Sequence, residues 1–257
     1  MPNHAVEQNA QVGPLWIRKF HNRDSSDRPT LLIFPHAGAG ASWYRQFSKE
    51  LSEDFEVIAF QYPGRQDRAA EPPLTSLQDI AAGAFAEFVA SEFNRGDAIT
   101  TLGHSMGALV SFEFARIAEA AGVKVRQVTV LAAVAPHRAA DKPLAPKDDQ
   151  GLLDHLRWLG GTNADVIADP ELVTMTFPVV KADHRAAETY SCDRSARIAA
   201  RIQVIGGDQD PIVSMADLHG WREHSDDVEV TMFDGGHFFL LDHVAEIRNL
   251  LSESRIR

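Results

Sequence analysis

The chain has 257 residues, of which 44% are hydrophobic, and it carries a formal net charge of -11. This length and composition predict one α/β domain spanning residues 1–257, while the acidic charge argues against nucleic acid or an anionic membrane as partner. The single cysteine, Cys192, excludes an intrachain disulfide and a cysteine metal cluster. The polar N-terminus and the shortness of the apolar runs predict a cytoplasmic protein with no membrane span.

A run of small residues follows the first clear strand. Thr30–Phe34 has the apolar, β-branched character of a buried strand and ends in a loop over 35–41, in which positions 37–41 are all alanine or glycine. In acyl-transfer enzymes a loop of this kind brings a backbone N–H close to the substrate carbonyl oxygen, and only small residues permit that approach. We therefore predict the Ala37 N–H as an oxyanion donor, and we expect His36 to hold the loop rather than act as a general base.

The next elements alternate between strand and helix. A strand is predicted over 55–62, a helix capped by Ser76 over 77–93, a strand over 98–102, a helix over 106–121 and a strand over 125–133. A polar turn follows the strand over 55–62, and we interpret its arginines, Arg65 and Arg68, as solvated. The alternation predicts a mostly parallel sheet with helices on both faces.

One serine lies at the junction of a predicted strand and a predicted helix. Ser105 is flanked by Gly103 and Gly107, and this Gly-x-Ser-x-Gly pattern is typical of a nucleophile elbow, in which the turn is too tight for side chains at the glycines. The pattern alone also occurs by chance in an ordinary glycine-flanked turn. Its position between strand and helix favours Ser105 as the nucleophile, with the Met106 N–H as the second oxyanion donor.

Residues 136–192, referred to below as the insertion, interrupt the alternation. Four prolines break this segment into helical pieces such as 148–159 and 170–180, and no strand is evident. An insertion at the carboxyl end of a parallel sheet predicts a lid over a ligand site. Its apolar residues either line an acyl pocket or only pack the lid onto the body: Leu152, Leu156, Trp158, Leu159, Met175, Phe177 and Val180.

Two later strands end in loops that carry acids and a histidine. Asp208 and Asp210 follow a strand over 201–205, and His237 follows the strand Val228–Phe233. A serine nucleophile needs an imidazole to take its proton and a carboxylate to fix the imidazole tautomer. We predict His237 as the base. The spacing Gly-x-x-Asp-x-x-Val from Gly207 to Val213 favours Asp210 over Asp208 as the acid, with Asp208 as a brace for the loop. No spacing among the histidines predicts a metal site, and no cofactor is implied.

Four segments together resemble the type II thioesterases, stand-alone enzymes that accompany nonribosomal peptide and polyketide synthases. They read Phe-Pro-His-Ala-Gly-Ala-Gly-Ala from Phe34, Gln-Tyr-Pro-Gly-Arg-Gln-Asp-Arg from Gln61, Gly-His-Ser-Met-Gly from Gly103, and Asp-Gly-Gly-His-Phe-Phe-Leu from Asp234. The resemblance implies an α/β-hydrolase fold with a helical lid. It also implies hydrolysis of acyl thioesters on the phosphopantetheine arms of carrier domains, which removes wrongly loaded units during siderophore or antibiotic synthesis. We expect acyl-loaded carrier domains as partners and a monomeric enzyme.

Residue spacing by itself predicts only a serine hydrolase, so two alternatives stay open. A general carboxylesterase or lipase of the same fold would turn over simple oxygen esters faster than carrier-bound thioesters. A hydrolase-fold binding protein would lack one triad member, and the presence of all three candidates disfavours it.

Overall fold

A seven-stranded sheet forms the centre of the computed structural model, which describes residues 15–22, 28–142, 145–160 and 170–253. The strand order is β1-β3-β2-β4-β5-β6-β7, with β1 antiparallel to β3 and every other neighbouring pair parallel. The strands are β1 Ile17–Arg18, β2 Thr30–Phe34, β3 Glu56–Phe60, β4 Ile99–His104, β5 Val125–Leu131, β6 Arg201–Gly207 and β7 Val228–Phe233.

Helices connect the parallel strands and fill the insertion. They are α1 Arg45–Leu51, α2 Leu77–Ala90, α3 Met106–Ala120, α4 Asp149–Leu159, α5 Pro170–Glu188, α6 Met215–His219 and α7 Val244–Glu253. The Ser76 hydroxyl accepts a hydrogen bond from the Asp79 N–H and so caps α2 as predicted. Within the described ranges no helix combines the length and the apolar character needed to cross a membrane.

The sheet separates two apolar layers, as the alternation of side chains along a strand requires. In β2, Leu32 and Phe34 join the core beneath α2 and α3, whereas Leu31 and Ile33 join the core beneath α1 and α7. Both faces of the sheet are therefore covered by helices, which explains why the central strands β2 and β4 are buried along their whole length.

Several element boundaries differ from the predictions. Residues 14–20 have the pattern of a first edge strand, but the strand in the structure is Ile17–Arg18, and the helices α1, α6 and α7 were not predicted. Helix α5 runs through Pro178 to Glu188 instead of ending near residue 180. Its later turns carry buried residues, including Ala182 and Ala186, so tertiary packing offsets the local cost of the proline.

The candidate functional residues lie at one edge of this sheet. The loops after β2, β4, β6 and β7 and the insertion after β5 all begin at the carboxyl ends of parallel strands. Ligand sites in open α/β sheets form at this edge, because the loops converge there on a single crevice.

Candidate active site

Ser105 occupies a strained turn between β4 and α3. Its backbone has φ 54° and ψ -122°, a region that residues with a side chain rarely adopt, and its N–H donates to the Leu131 carbonyl at 2.8 Å. A Cβ on Gly103 would lie 2.3 Å from the Gly107 carbonyl oxygen, and a Cβ on Gly107 would lie 2.0 Å from the Phe34 carbonyl oxygen. Both flanking glycines are therefore required by backbone packing.

Ser105, His237 and Asp210 form one hydrogen-bonded chain. His237 Nε2 lies 3.0 Å from Ser105 Oγ, and His237 Nδ1 lies 2.8 Å from Asp210 Oδ2. The side chains of His237 and Asp210 are 4% and 0% exposed. Because an ionised carboxylate only accepts hydrogen bonds, Nδ1 carries a proton and Nε2 is left to accept the serine hydroxyl. This is the arrangement that activates a serine nucleophile.

The Asp210 carboxylate is held by two backbone groups as well as by the imidazole. Its Oδ1 accepts from the N–H groups of Ile212 and Val213 at 2.8 and 3.1 Å. Burial raises the pKa of Asp210, but the hydrogen bond from His237 and those from the two N–H groups outweigh burial and lower the pKa below its usual value. Asp210 is therefore ionised at neutral pH.

Asp208 has a different position on the same loop. Its Oδ1 accepts from the Gly235 N–H at 3.0 Å, and its own N–H donates to the Phe233 carbonyl at 2.9 Å, whereas the carboxylate bonded to His237 belongs to Asp210. A Cβ on Gly207 would lie 2.3 Å from the Gly235 carbonyl oxygen. Asp208 thus ties the loop after β6 to the loop after β7.

Two backbone N–H groups beside Ser105 have no acceptor among the described residues: those of Ala37 and Met106. Met106 is the first residue of α3, where the helix dipole favours negative charge. The β2 loop (residues 35–40) lies against the same turn, since a Cβ on Gly107 would lie 2.5 Å from the Pro35 carbonyl oxygen. Both groups are thus able to donate to a ligand oxygen.

A buried polar network beneath the site joins the β2 loop to His237. His36 Nδ1 lies 2.8 Å from Tyr44 Oη, which lies 3.2 Å from His104 Nδ1, and His104 Nε2 donates to the His237 carbonyl at 3.0 Å. Burial, with smaller contributions from the charges of His237 and Arg65, lowers the pKa of His36 to about 3. His36 is thus neutral, and its hydrogen bond to Tyr44 holds the β2 loop in place, in line with the structural role expected of it.

The interpretation of Arg65 and Arg68 as solvated is wrong, because each is only 5% exposed. Arg68 makes a two-point ion pair with Glu71 at 2.6 and 2.5 Å. Arg65 makes a two-point ion pair with Asp183 on α5 at 2.7 and 2.8 Å. The sequence carried no signal for Asp183, which lies 118 residues beyond Arg65 and belongs to no recognisable motif.

The insertion buries apolar side chains between α4 and α5. Leu152, Phe177 and Val180 form a buried cluster, against which Leu156 and the neighbouring Leu153 pack. Trp158, by contrast, is 59% exposed, and Leu159 is half-buried. Met175 lies outside the part of the chain whose side chains are described. Of the seven predicted pocket residues, Leu152, Leu156, Phe177 and Val180 therefore take part in this cluster, whereas Trp158 and Leu159, both described, do not.

No metal centre is present in the ranges that the structure describes, where no three His, Cys, Asp or Glu side chains are arranged to hold an ion.

The family model for the thioesterase domain matches residues 29–253. The chain belongs to the thioesterase family. This thioesterase is 37% identical to Thioesterase PikA5 of Streptomyces venezuelae. The match extends over 241 residues and covers 93% of this chain and 85% of PikA5.

Similarity to larger proteins and to solved structures agrees with this assignment. The thioesterase is 38% identical over 251 residues to Phenyloxazoline synthase MbtB of Mycobacterium tuberculosis, covering 96% of this chain but only 17% of the synthase's length. It also superposes on the type II thioesterase BorB from the borrelidin biosynthetic cluster with a TM-score of 0.84 at 36% identity, covering 94% of this chain and 98% of that one. The resemblance to type II thioesterases and the predicted α/β-hydrolase fold are thereby confirmed.

Proposed function

We propose that the protein is an editing thioesterase that hydrolyses acyl thioesters on the phosphopantetheine arms of carrier domains. The observation that carries the proposal is the chain of hydrogen bonds from Asp210 through His237 to Ser105, beside two N–H groups with no acceptor among the described residues. We further propose that it acts as a cytoplasmic monomer, with acyl-loaded carrier domains as its partners.

Acylation follows from the geometry. Ser105 Oγ attacks the thioester carbonyl carbon while His237 Nε2 takes the hydroxyl proton across the 3.0 Å hydrogen bond. The carbonyl oxygen becomes an oxyanion that accepts from the N–H groups of Ala37 and Met106. When the carbon–sulfur bond breaks, the imidazolium returns its proton to the leaving thiolate, and the free pantetheine thiol departs.

Deacylation uses the same groups in the reverse direction. A water molecule takes the place of the thiol, and His237 Nε2 accepts one of its protons as the oxygen attacks the acyl-enzyme carbonyl. The second oxyanion forms at the same two N–H groups and collapses, and the proton passes back to Ser105 Oγ. The products are a carboxylic acid and the free enzyme, while Asp210 stays ionised and stabilises the imidazolium in both halves.

Two observations support a carrier-bound substrate. Relatives of similar length, PikA5 and BorB, are named as thioesterases, and BorB is a type II thioesterase from a biosynthetic cluster. The apolar cluster of α4 and α5 reaches the β2 loop through Val180, and we propose it as the acyl site, where contacts would contribute about 0.8 kcal/mol per buried methylene. Such small increments suit an enzyme that accepts many short acyl groups with modest preferences.

The test compares one acyl group on three leaving groups: a carrier protein, coenzyme A and a simple alcohol. We expect kcat/KM to be highest for the carrier-bound thioester and lowest for the oxygen ester. Ser105→Ala serves as the control for background hydrolysis. A higher kcat/KM for the oxygen ester than for both thioesters would identify a general carboxylesterase instead.

A further inference from the structure

The ion pair between Arg65 and Asp183 is buried to an unusual degree. The two side chains are 5% and 0% exposed, and Arg65 donates from Nη1 to Asp183 Oδ2 at 2.7 Å and from Nη2 to Asp183 Oδ1 at 2.8 Å. Removing two charges from water costs several kcal/mol each, so a buried pair contributes little net stability compared with apolar residues of the same size. The role of this ion pair therefore depends on the other groups that Arg65 and Asp183 bind.

Both partners also bind the backbone of the β2 loop. Asp183 Oδ2 accepts from the Gly38 N–H at 2.7 Å, and Arg65 Nη1 donates to the Ala39 carbonyl at 3.2 Å. The turn is closed by the Ala39 N–H, which donates to the His36 carbonyl at 3.1 Å, with Gly38 at φ +78°. The ion pair thus binds the N–H of Gly38 and the carbonyl of Ala39, the two residues that immediately follow the proposed oxyanion donor Ala37.

Helix α5 reinforces the same contact. Val180, one turn before Asp183, lies so close to the loop that a Cβ on Gly38 would be 2.8 Å from its Cγ2 atom. Asp183 and Val180 both belong to the insertion, whereas Arg65 follows β3 and Gly38 follows β2. Three segments distant in sequence therefore meet at a loop whose conformation sets the direction of the Ala37 N–H.

We propose that Arg65 and Asp183 are positioning residues for the oxyanion hole, and that the insertion takes part in catalysis through Asp183 rather than only covering the site. This inference rests on the proposed serine-hydrolase mechanism. An oxyanion donor acts only when it is held at about 2.7–3.1 Å from the developing charge, and misplacement by about 1 Å costs roughly 100-fold in rate. The ion pair supplies that restraint from the far side of the loop.

Two double variants distinguish the positioning of the β2 loop by Arg65 and Asp183 from the contribution of these residues to the stability of the fold. Arg65→Met with Asp183→Leu removes both charges and leaves the Gly38 N–H without an acceptor. Arg65→Met with Asp183→Asn removes the same charges but keeps an amide oxygen that can accept from Gly38. Because apolar replacement of a whole buried ion pair is often neutral, whereas removing one partner leaves a buried charge, the double variants are preferred to single ones.

We expect both double variants to stay folded, with kcat reduced about 100-fold in the leucine variant and partly recovered in the asparagine variant, which regains the bond to the Gly38 N–H but not that to the Ala39 carbonyl. KM should change little, since the loop acts on the transition state. Binding of a trifluoromethyl ketone, whose serine adduct carries an oxyanion, should weaken in parallel with kcat/KM. Lys181→Met with Asp149→Leu is the matched control: it removes an exposed ion pair between α5 and α4 and should leave kcat unchanged.

Wild-type kcat in both folded double variants would overturn the proposal, and so would equal losses in the two. If either double variant fails to fold, the trifluoromethyl ketone affinities of the single variants Asp183→Leu and Asp183→Asn provide the same comparison, and equal affinities in these two would also overturn the proposal. All assays are repeated with a p-nitrophenyl ester. A wild-type enzyme that cleaves only this ester contradicts the proposed thioesterase function. The ratio of the variant's kcat to the wild-type kcat on this ester still tests the positioning role of Arg65 and Asp183.

Discussion

Asp210→Asn is expected to disable the triad by reversing the polarity of one hydrogen bond. In the native enzyme Asp210 Oδ1 accepts from the N–H groups of Ile212 and Val213, and Oδ2 accepts from His237 Nδ1. The two N–H groups require an oxygen, so an asparagine places its carbonyl there and turns its NH₂ toward the imidazole. Nδ1 must then accept, and the remaining proton moves to Nε2.

The magnitude follows from what that proton blocks. An imidazole with a proton on Nε2 cannot take the hydroxyl proton from Ser105 across the 3.0 Å contact. In chymotrypsin-type triads the corresponding exchange lowers kcat on the order of 10⁴-fold, equivalent to about 5.5 kcal/mol of transition-state stabilisation. We expect a loss of this size in kcat on an acyl-coenzyme A thioester, measured by release of the free thiol, with little change in thermal stability.

Asp208→Asn is the matched control on the same loop. Its amide oxygen can still accept from the Gly235 N–H, so kcat should fall only a few-fold. Equal losses in the two variants, or a loss below tenfold for Asp210→Asn, would refute the assignment of Asp210 as the residue that orients His237.

Three further outcomes are expected. Ser105→Ala and His237→Ala should each lower kcat by several orders of magnitude, and the double variant should be scarcely slower than either, because triad members act as a unit; labelling by a phosphonate at another serine would contradict this. Phe177→Ala should shift the acyl-chain profile toward longer chains, whereas Trp158→Ala, at a 59% exposed position, should not; identical profiles would place the acyl site elsewhere. Because the pKa of His36 is lowered from 6.5 to about 3, the folded state binds fewer protons than the unfolded state between these values. The free energy of unfolding should therefore decrease as the pH falls below about 6.5, by about 2 kcal/mol at pH 5 from this residue, and urea titrations of His36→Gln should show a weaker pH dependence.

The sequence by itself determined the six parallel strands, the helices α2 and α3 between them and the residues at the carboxyl edge of the sheet. Apolar runs and helical periodicity are local signals, and each parallel strand must deliver its following loop to the same edge. For this reason Ser105, Asp210 and His237, which are far apart in the chain, were predicted together and meet in one hydrogen-bonded chain. The choice of Asp210 over Asp208 also came from spacing, and the structure places only Asp210 on the imidazole.

Only the tertiary structure decided how that edge is supported. Arg65 looked like a solvated residue of a polar turn, and its burial depends on Asp183, which the fold brings across 118 residues. Helix α5 continues to Glu188 because its later turns are buried, although the sequence predicts an end near residue 180. Ion pairs and packing of this kind depend on distances between segments, and such distances leave no periodic pattern in the chain. The sequence therefore predicted the groups that we propose react, while the fold alone determined what holds them in place.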